Sequence, residues 1–150
     1  VSLTFSAARR VPEADVFMRA GNYKGWLPTL YLGELMTRKT VGVVGAGRIG
    51  ASYAKMMVEG FKMDFLYYDL YQNKALEDYL TAYGEFLKSQ GEEPVKWRRC
   101  DTVEEVLNSH PDLVAAIGKK RFRVYNLGWV ALRWVGLGFE PVHDSGHVTY

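Results

Sequence analysis

The sequence predicts an α/β fold, in which helices cover a parallel β-sheet, and three observations support this. Short apolar segments alternate with longer segments of helical periodicity, which is the pattern of repeated β-α-β units. The first apolar segment, residues 41–44, runs directly into a glycine-rich turn over residues 45–50. The second, residues 65–68, ends at the acidic residue Asp69. This order of strand, glycine turn, helix, strand and acid is typical of a Rossmann-like domain.

Residues 1–40 are predicted to form a helical connecting segment that precedes the sheet. Apolar residues recur there at helical spacing, but Pro12 interrupts the stripe, and a proline inside a helix costs about 3 kcal/mol. Either the helix kinks at this point or a second helix begins near Glu13. Residues 21–28 follow as a loop, in which Trp26 is expected to pack beneath the chain as an anchor.

The glycine-rich turn predicts a phosphate-binding site. Gly45 permits a tight turn, and Gly47 lets the backbone approach a pyrophosphate because it has no Cβ. Gly50 lets the following helix pack closely on the strand, and the N-terminus of that helix offers unpaired amides to an anion. The apolar spacing after Gly50 indicates a helix whose C-cap is expected at Gly60.

Asp69 predicts which dinucleotide binds. It lies nineteen residues after Gly50, which is the spacing at which a carboxylate hydrogen-bonds the ribose hydroxyls of NAD. A carboxylate at this place would repel a 2′-phosphate, and no arginine follows in residues 70–73. NAD is therefore favoured over NADP. The alternative interpretation is that Asp69 is an ordinary turn residue at the end of a strand.

Two further strands are expected to complete a parallel sheet with right-handed crossovers. An amphipathic helix over residues 76–87 covers the sheet, a short third strand lies within residues 95–99, and a fourth lies within residues 112–117. Between these two strands, Thr102 and Glu105 have the spacing of a capping box that opens a short helix.

The chain is therefore expected to have three parts. The helical connecting segment of residues 1–40 comes first, a partial NAD-binding Rossmann domain over residues 41–117 follows, and residues 118–150 form an unassigned tail. The sheet is an incomplete half-domain, and the first residue is not methionine. We expect the chain to be a piece of a longer protein.

Composition restricts the classes of function. The formal net charge of +2 is too small to indicate a nucleic-acid or membrane partner. The single cysteine, Cys100, excludes an internal disulfide and suits a reducing compartment. The sequence contains neither a signal-peptide pattern nor an apolar stretch of membrane-spanning length, so an intracellular soluble protein is expected.

Three stretches carry a resemblance to a known family: SAARRVPEADVFMRAGNYKGWLP, TVGVVGAGRIGASYAKMMVEGFKMDFLYYDLYQ and the less common insertion LTAYGEFLKSQGEEPVKWRR. Over about residues 1–109 the chain resembles the D-isomer-specific 2-hydroxyacid dehydrogenases, and within them the plant NADH-dependent hydroxypyruvate reductases. The resemblance implies a Rossmann-like fold, an NAD cofactor, a homodimer and the reduction of hydroxypyruvate or glyoxylate by NADH. It also implies a peroxisomal location, although the final residues HVTY are not a Ser-Lys-Leu type of address.

The same resemblance implies a set of cofactor-binding residues: Gly45, Gly47, Arg48, Ile49, Gly50 and Asp69. Arg48 and the amide of Ile49 would contact phosphate, and Asp69 would hold the adenosine ribose. Two positions depart from the family pattern. Pro12 replaces a helix-compatible residue, and Arg38 stands where a glycine is usual before the strand.

No catalytic residue is assigned in this sequence. Members of the family bind the substrate carboxylate with an arginine and use a histidine assisted by a glutamate as the proton donor, in motifs beyond the aligned part of this chain. Several residues of the right types occur in the tail without a matching motif: Arg121, Arg123, Arg133, Glu140, His143 and His147. The small substrate-binding domain of the family is also missing. The chain alone is expected to bind NAD weakly at best and to catalyse nothing.

Residues 110–150 match no recognised pattern, and a shifted reading frame, a retained intron or a mistaken gene model after about Ser109 would explain this. His143 and His147 have the spacing of a helical metal pair, but nearby glycine and proline argue against a helix, so no metal site is predicted. The basic cluster of residues 119–123 is interpreted as solvated surface. The alternatives are a non-catalytic binding or regulatory chain that uses this basic, aromatic tail, and an unstable truncated product.

Overall fold

The computed structural model describes residues 1–109, 111–117 and 122–126. Its helices are α1 (Ser2–Ala8), α2 (Val11–Arg19), α3 (Arg48–Phe61), α4 (Lys74–Ser89) and α5 (Val103–Asn108). Its strands are β1 (Thr40–Val44), β2 (Asp64–Tyr68), β3 (Trp97–Arg99), β4 (Leu113–Ile117) and β5 (Phe122–Asn126). After the two N-terminal helices, strands and helices alternate as far as β4, which is the order that the sequence predicts.

The strands form one sheet in the order β3-β2-β1-β4-β5. The predicted parallel arrangement is confirmed for β3, β2, β1 and β4, whereas β5 runs antiparallel to β4. From β1 the chain moves outward through β2 to β3, and it then crosses back to place β4 on the other side of β1. This reversal creates a crevice at the carboxyl ends of β1 and β4, where doubly wound folds bind their ligands.

Helices lie on both faces of the sheet. Right-handed crossovers in opposite directions put α3 and α4 on one face and α5 on the other. Gly42 faces α5 so closely that a Cβ atom there would lie 2.7 Å from Cγ1 of Val106. Val43 and Phe65, on neighbouring strands, are fully buried. Both faces of β1 are therefore packed. The first turn of α3 lies against the face that carries Val43, since a Cβ atom at Gly50 would lie 3.6 Å from Cγ1 of Val43.

A new helix begins at Val11, next to Pro12, which confirms the second of the two alternatives. α1 ends at Ala8, Arg10 takes a left-handed φ of 55°, and α2 starts at Val11 with Pro12 in its first turn. Proline is tolerated there because a first-turn amide has no acceptor within the helix. α2 contains no buried residue.

The prediction that Trp26 acts as a packed anchor is wrong in the part of the chain that the structure describes. Its side chain is 80% exposed. Other exposed apolar residues occur between α2 and β1: Tyr23, Leu27, Leu32 and Leu35. The size and apolarity of a tryptophan favour burial, but they do not say which surface covers it.

Two helix ends differ in detail from the sequence expectation. The C-cap of α3 is Lys62, with a left-handed φ of 51°, and Gly60 lies within the helix. The capping box of α5 is formed in one half, since the Glu105 amide donates to Oγ1 of Thr102 at 3.0 Å. The Glu105 carboxylate, however, accepts from the amide of Asp101 at 2.8 Å instead of from Thr102.

β5 lies in the segment, residues 118–150, to which the sequence pattern assigns no element. Residues 122–126 add an antiparallel strand at the edge of the sheet. Antiparallel edge strands are common on otherwise parallel sheets. Arg123, the one arginine in this strand, belongs to the basic run of residues 119–123, which the sequence pattern does not assign to a strand. The backbone of α1 lies beside β5, so the connecting segment packs on this side of the sheet.

Candidate functional site

Two of the three motif glycines are required by the packing of the turn itself. Gly45 has a φ of 99°, and a Cβ atom there would lie 2.3 Å from the carbonyl oxygen of Ile117. At Gly50 a Cβ atom would lie 2.0 Å from the carbonyl oxygen of Gly45. These contacts agree with the predicted tight turn and with the predicted close packing of α3 on β1.

Gly47 differs from the other two motif glycines. It is the N-cap of α3, its φ is −69°, and its backbone is extended. A Cβ atom at this position would meet no protein atom within 4 Å. Among the described residues, neither backbone strain nor crowding therefore requires a glycine here, and the turn is open on this side.

The N-terminus of α3 lies next to this opening. As a glycine, the N-cap has no side chain to accept hydrogen bonds from the first turn. The Arg48 and Ile49 side chains are exposed, so the start of the helix is accessible to solvent. The aligned peptide dipoles of a 14-residue helix give this end a partial positive charge that favours an anion.

An open cavity lies along the same helix and shares Arg48 and Ile49 with the candidate site. Its volume is about 430 Å³, and its lining residues are Val1, Arg48, Ile49, Ser52, Tyr53 and Met56. Neither Gly47 nor Asp69 lines it. Because it contacts the site only at the start of α3, we assign it no role in cofactor binding.

Asp69 lies beside the glycine turn at the end of β2. Val44 pairs with Tyr68 in the parallel register, and the amide of Gly45 donates to the Tyr68 carbonyl at 2.8 Å. The Oδ1 atom of Asp69 accepts from the amide of Tyr71 at 3.3 Å, and Oδ2 has no partner among the described residues. The structure thus brings the predicted turn and the predicted acid together and leaves a carboxylate oxygen available.

Arg99 is a residue of this site that the sequence analysis missed. It pairs with Tyr67 across β2 and β3, and its Nη2 atom donates to the Asp69 carbonyl oxygen at 3.4 Å. Its Nε atom is buried and has no hydrogen-bond partner among the described residues. The end of β2 therefore has a cation beside it, although residues 70–73 contain no arginine. Pairing the predicted strands in register would have revealed it.

A hydrogen-bond network behind the turn joins β2, α4 and the turn itself. The Tyr67 hydroxyl donates to Oε1 of Glu77 at 2.5 Å, and Nε2 of Gln72 donates to Oε2 of Glu77 at 2.7 Å. Nδ2 of Asn73 donates to the Ala46 carbonyl oxygen at 2.6 Å. Burial, with a further contribution from the bond to Glu77, raises the pKa of Tyr67 to about 12. No single sequence motif indicates this network, because its members come from three elements.

The described residues offer little other chemistry. They contain no group of three histidine, cysteine, aspartate or glutamate side chains that could hold a metal ion. None of the helices in residues 1–109 combines the length and apolarity needed to cross a membrane. Most tail residues considered as catalytic or metal-binding candidates lie outside the described residues: Arg121, Arg133, Glu140, His143 and His147. So does most of the tail on which the regulatory alternative depends.

Known proteins resemble this chain in sequence and in structure. A family model described as "D-isomer specific 2-hydroxyacid dehydrogenase, NAD binding domain" matches residues 1–125. Glycerate dehydrogenase of Cucumis sativus is 63% identical over 106 residues, covering 71% of this chain and 28% of the relative. The peroxisomal glycerate dehydrogenase HPR of Arabidopsis thaliana is 59% identical over 114 residues, covering 76% of this chain and 29% of the relative.

A crystal structure of a Thermus thermophilus protein matches with a TM-score of 0.57 and 28% sequence identity, covering 78% of this chain and 30% of that one. The chain therefore spans less than a third of the length of the curated relatives it matches. The family match continues past Ser109 to residue 125, so it includes β4 and most of β5.

Proposed function

The chain belongs to the D-isomer specific 2-hydroxyacid dehydrogenase family, as an NAD binding domain, and from this premise we propose that it holds NADH for the reduction of hydroxypyruvate or glyoxylate. The observation that carries the proposal is the juxtaposition of an open glycine turn, a solvent-accessible helix N-terminus and a carboxylate. All three lie at the carboxyl ends of adjacent parallel strands. Doubly wound folds bind dinucleotides at this place.

The residues present fit the cofactor part by part. Gly47 leaves space for a pyrophosphate, and the amides of Arg48 and Ile49 would donate to it at the positive end of α3. Asp69 would accept from the adenosine ribose through its available oxygen. Gly45 and Gly50 give the turn the shape that these contacts need.

NADH supplies the hydride when it is bound. Reduction of a 2-keto acid also needs a cation for the substrate carboxylate and an acid beside the carbonyl, both at the nicotinamide end. The residues assigned here belong to the adenosine and pyrophosphate end. We therefore expect these 150 residues alone to bind the cofactor without turnover, and we expect the reaction to require the rest of a complete dehydrogenase.

The names of the two plant relatives support the choice of substrate. Both are called glycerate dehydrogenase, and glycerate is the 2-hydroxy acid that forms when the keto group of hydroxypyruvate is reduced. The peroxisomal location of the Arabidopsis relative supports the same compartment for the protein to which this chain belongs. Glyoxylate is the shorter 2-oxo acid, in which an aldehyde carbonyl stands next to the carboxylate.

Exposed apolar side chains support a homodimer. Between residues 11 and 35 several large side chains are exposed, Trp26 most of all: Val11, Val16, Met18, Tyr23, Trp26, Leu27, Leu32 and Leu35. So many large apolar side chains left exposed within one short segment favour a protein interface there. We expect a second copy of the chain to cover this segment.

Gly47→Val tests the cofactor site, because it places a side chain where the pyrophosphate is expected without meeting protein atoms. We expect NADH affinity to fall at least tenfold, the equivalent of about 1.4 kcal/mol, in a fluorescence titration. The matched control is Gly60→Val, since Gly60 lies in the same helix and its Cβ position is also open. Thermal melting checks that both variants fold.

Two results would argue against the proposal. If Gly47→Val bound NADH as tightly as the unsubstituted chain, the pyrophosphate would lie elsewhere. If Gly60→Val weakened binding equally, the loss would report the general integrity of α3 and not the turn.

A further inference from the structure

Asn73 connects two parts of the molecule through its side chain. As the N-cap of α4, its Oδ1 atom accepts from the Leu76 amide at 3.1 Å. At the same time its Nδ2 atom donates to the Ala46 carbonyl oxygen at 2.6 Å. Ala46 stands between Gly45 and Gly47 in the glycine turn and is buried. One amide group therefore caps a helix and also holds the turn.

The position of Asn73 is itself fixed by buried groups. Its backbone amide donates to the Tyr67 hydroxyl at 3.3 Å, and that hydroxyl donates to Glu77 at 2.5 Å. Tyr67 is fully buried and Glu77 nearly so. A second bond from Gln72 orients the Glu77 carboxylate. The donor that meets Ala46 is thus anchored on β2 and α4, outside the turn.

We propose that Asn73 is a positioning residue for the pyrophosphate turn, which it holds in the conformation that directs the Arg48 and Ile49 amides at the cofactor. The turn has a glycine on each side of Ala46, and glycine has more conformational freedom than any other residue. The Ala46 carbonyl is the group through which a side chain restrains this segment. The inference rests on the proposed function, because a positioned turn has a role only if it binds phosphate.

Asn73→Asp separates the two roles of the side chain. A carboxylate keeps the acceptor for the Leu76 amide and is a good N-cap, but it has no hydrogen to donate to Ala46 and places negative charge against the carbonyl. We expect the melting temperature to fall, because the buried Ala46 carbonyl loses its donor and faces a negative charge. We expect NADH to bind about tenfold more weakly.

Thr102→Ala is the matched control for loss of a cap. Thr102 caps α5 through the Glu105 amide at 3.0 Å, and α5 lies on the other face of the sheet. We expect this variant to lower the melting temperature without changing NADH affinity. Cap loss alone would then be excluded as the cause of weaker binding in Asn73→Asp.

Adenosine, which has no phosphate, gives a readout that a merely structural role would not produce. An NMR titration should show similar adenosine binding in Asn73→Asp and the unsubstituted chain, because Asp69 holds the ribose. Equal weakening of adenosine and NADH would overturn the positioning role, as would unchanged NADH affinity in Asn73→Asp. An unsubstituted chain that binds no NADH would instead refute the proposed function.

Discussion

Replacing Asp69 by alanine should reduce the discrimination between NADH and NADPH. The carboxylate follows β2, is partly buried, and has one oxygen bonded to the Tyr71 amide at 3.3 Å. Its other oxygen is available for the ribose. Removing the side chain deletes this acceptor for NADH and also deletes the negative charge that would repel a 2′-phosphate.

The size of the effect follows from the environment of the carboxylate. A hydrogen bond to a charged group contributes about 1.5–3 kcal/mol, and partial exposure of Asp69 favours the lower end of that range because solvent screens the charge. NADH should therefore bind about tenfold more weakly. NADPH should bind more tightly, since Arg99 places a guanidinium group 3.4 Å from the Asp69 carbonyl oxygen and the opposing charge is gone.

Parallel fluorescence titrations with NADH and NADPH measure both changes. Asp78→Ala is the control, because Asp78 is an exposed carboxylate on α4 that pairs with Lys74 and lies apart from the turn. The ratio of the two dissociation constants should change in Asp69→Ala and stay constant in Asp78→Ala. An unchanged ratio in Asp69→Ala would refute the assignment of this carboxylate to the ribose.

Two further predictions concern stability and assembly. The folded state raises the pKa of Tyr67 from its ordinary value near 10 to about 12, so folding favours the neutral phenol. The resulting contribution to the free energy of unfolding is complete below about pH 10 and is lost as the pH rises toward 12. The melting temperature should fall across that range, and less steeply in Tyr67→Phe; identical slopes would contradict the reasoning. Val16→Glu, on the exposed side of α2, should shift the chain from dimer to monomer in analytical ultracentrifugation, and a monomeric unsubstituted chain would contradict the homodimer.

The sequence predicted those parts of the site that depend on one short segment. The glycine turn combines a positive φ at Gly45 with a close backbone approach at Gly50, and both requirements restrict residue type so strongly that the pattern is visible. Asp69 was identified because it directly follows β2 and lies nineteen residues after Gly50, and in the structure the end of β2 lies beside the turn. The parallel arrangement of the first four strands also followed from the sequence, because strands that alternate with helices are joined by right-handed crossovers.

The missed features depend on contacts between distant segments. Arg99 reaches the end of β2 from the neighbouring strand, and Asn73 reaches Ala46 across 27 positions of the chain. Arg99 emerges only when the two predicted strands are paired in register, and the contact of Asn73 has no periodic or spaced signal. Trp26 was misassigned for a related reason, since the surface that covers an apolar side chain need not belong to the same chain.

Amide chemical-shift mapping with NADH tests the central claim most directly. The unsubstituted chain should show its largest shifts at the amides of Gly47, Arg48 and Ile49 and at those around Asp69. Such a result would place the pyrophosphate at the start of α3 and the ribose at the end of β2. Largest shifts on the far side of α3, or no shifts at saturating NADH, would contradict the account.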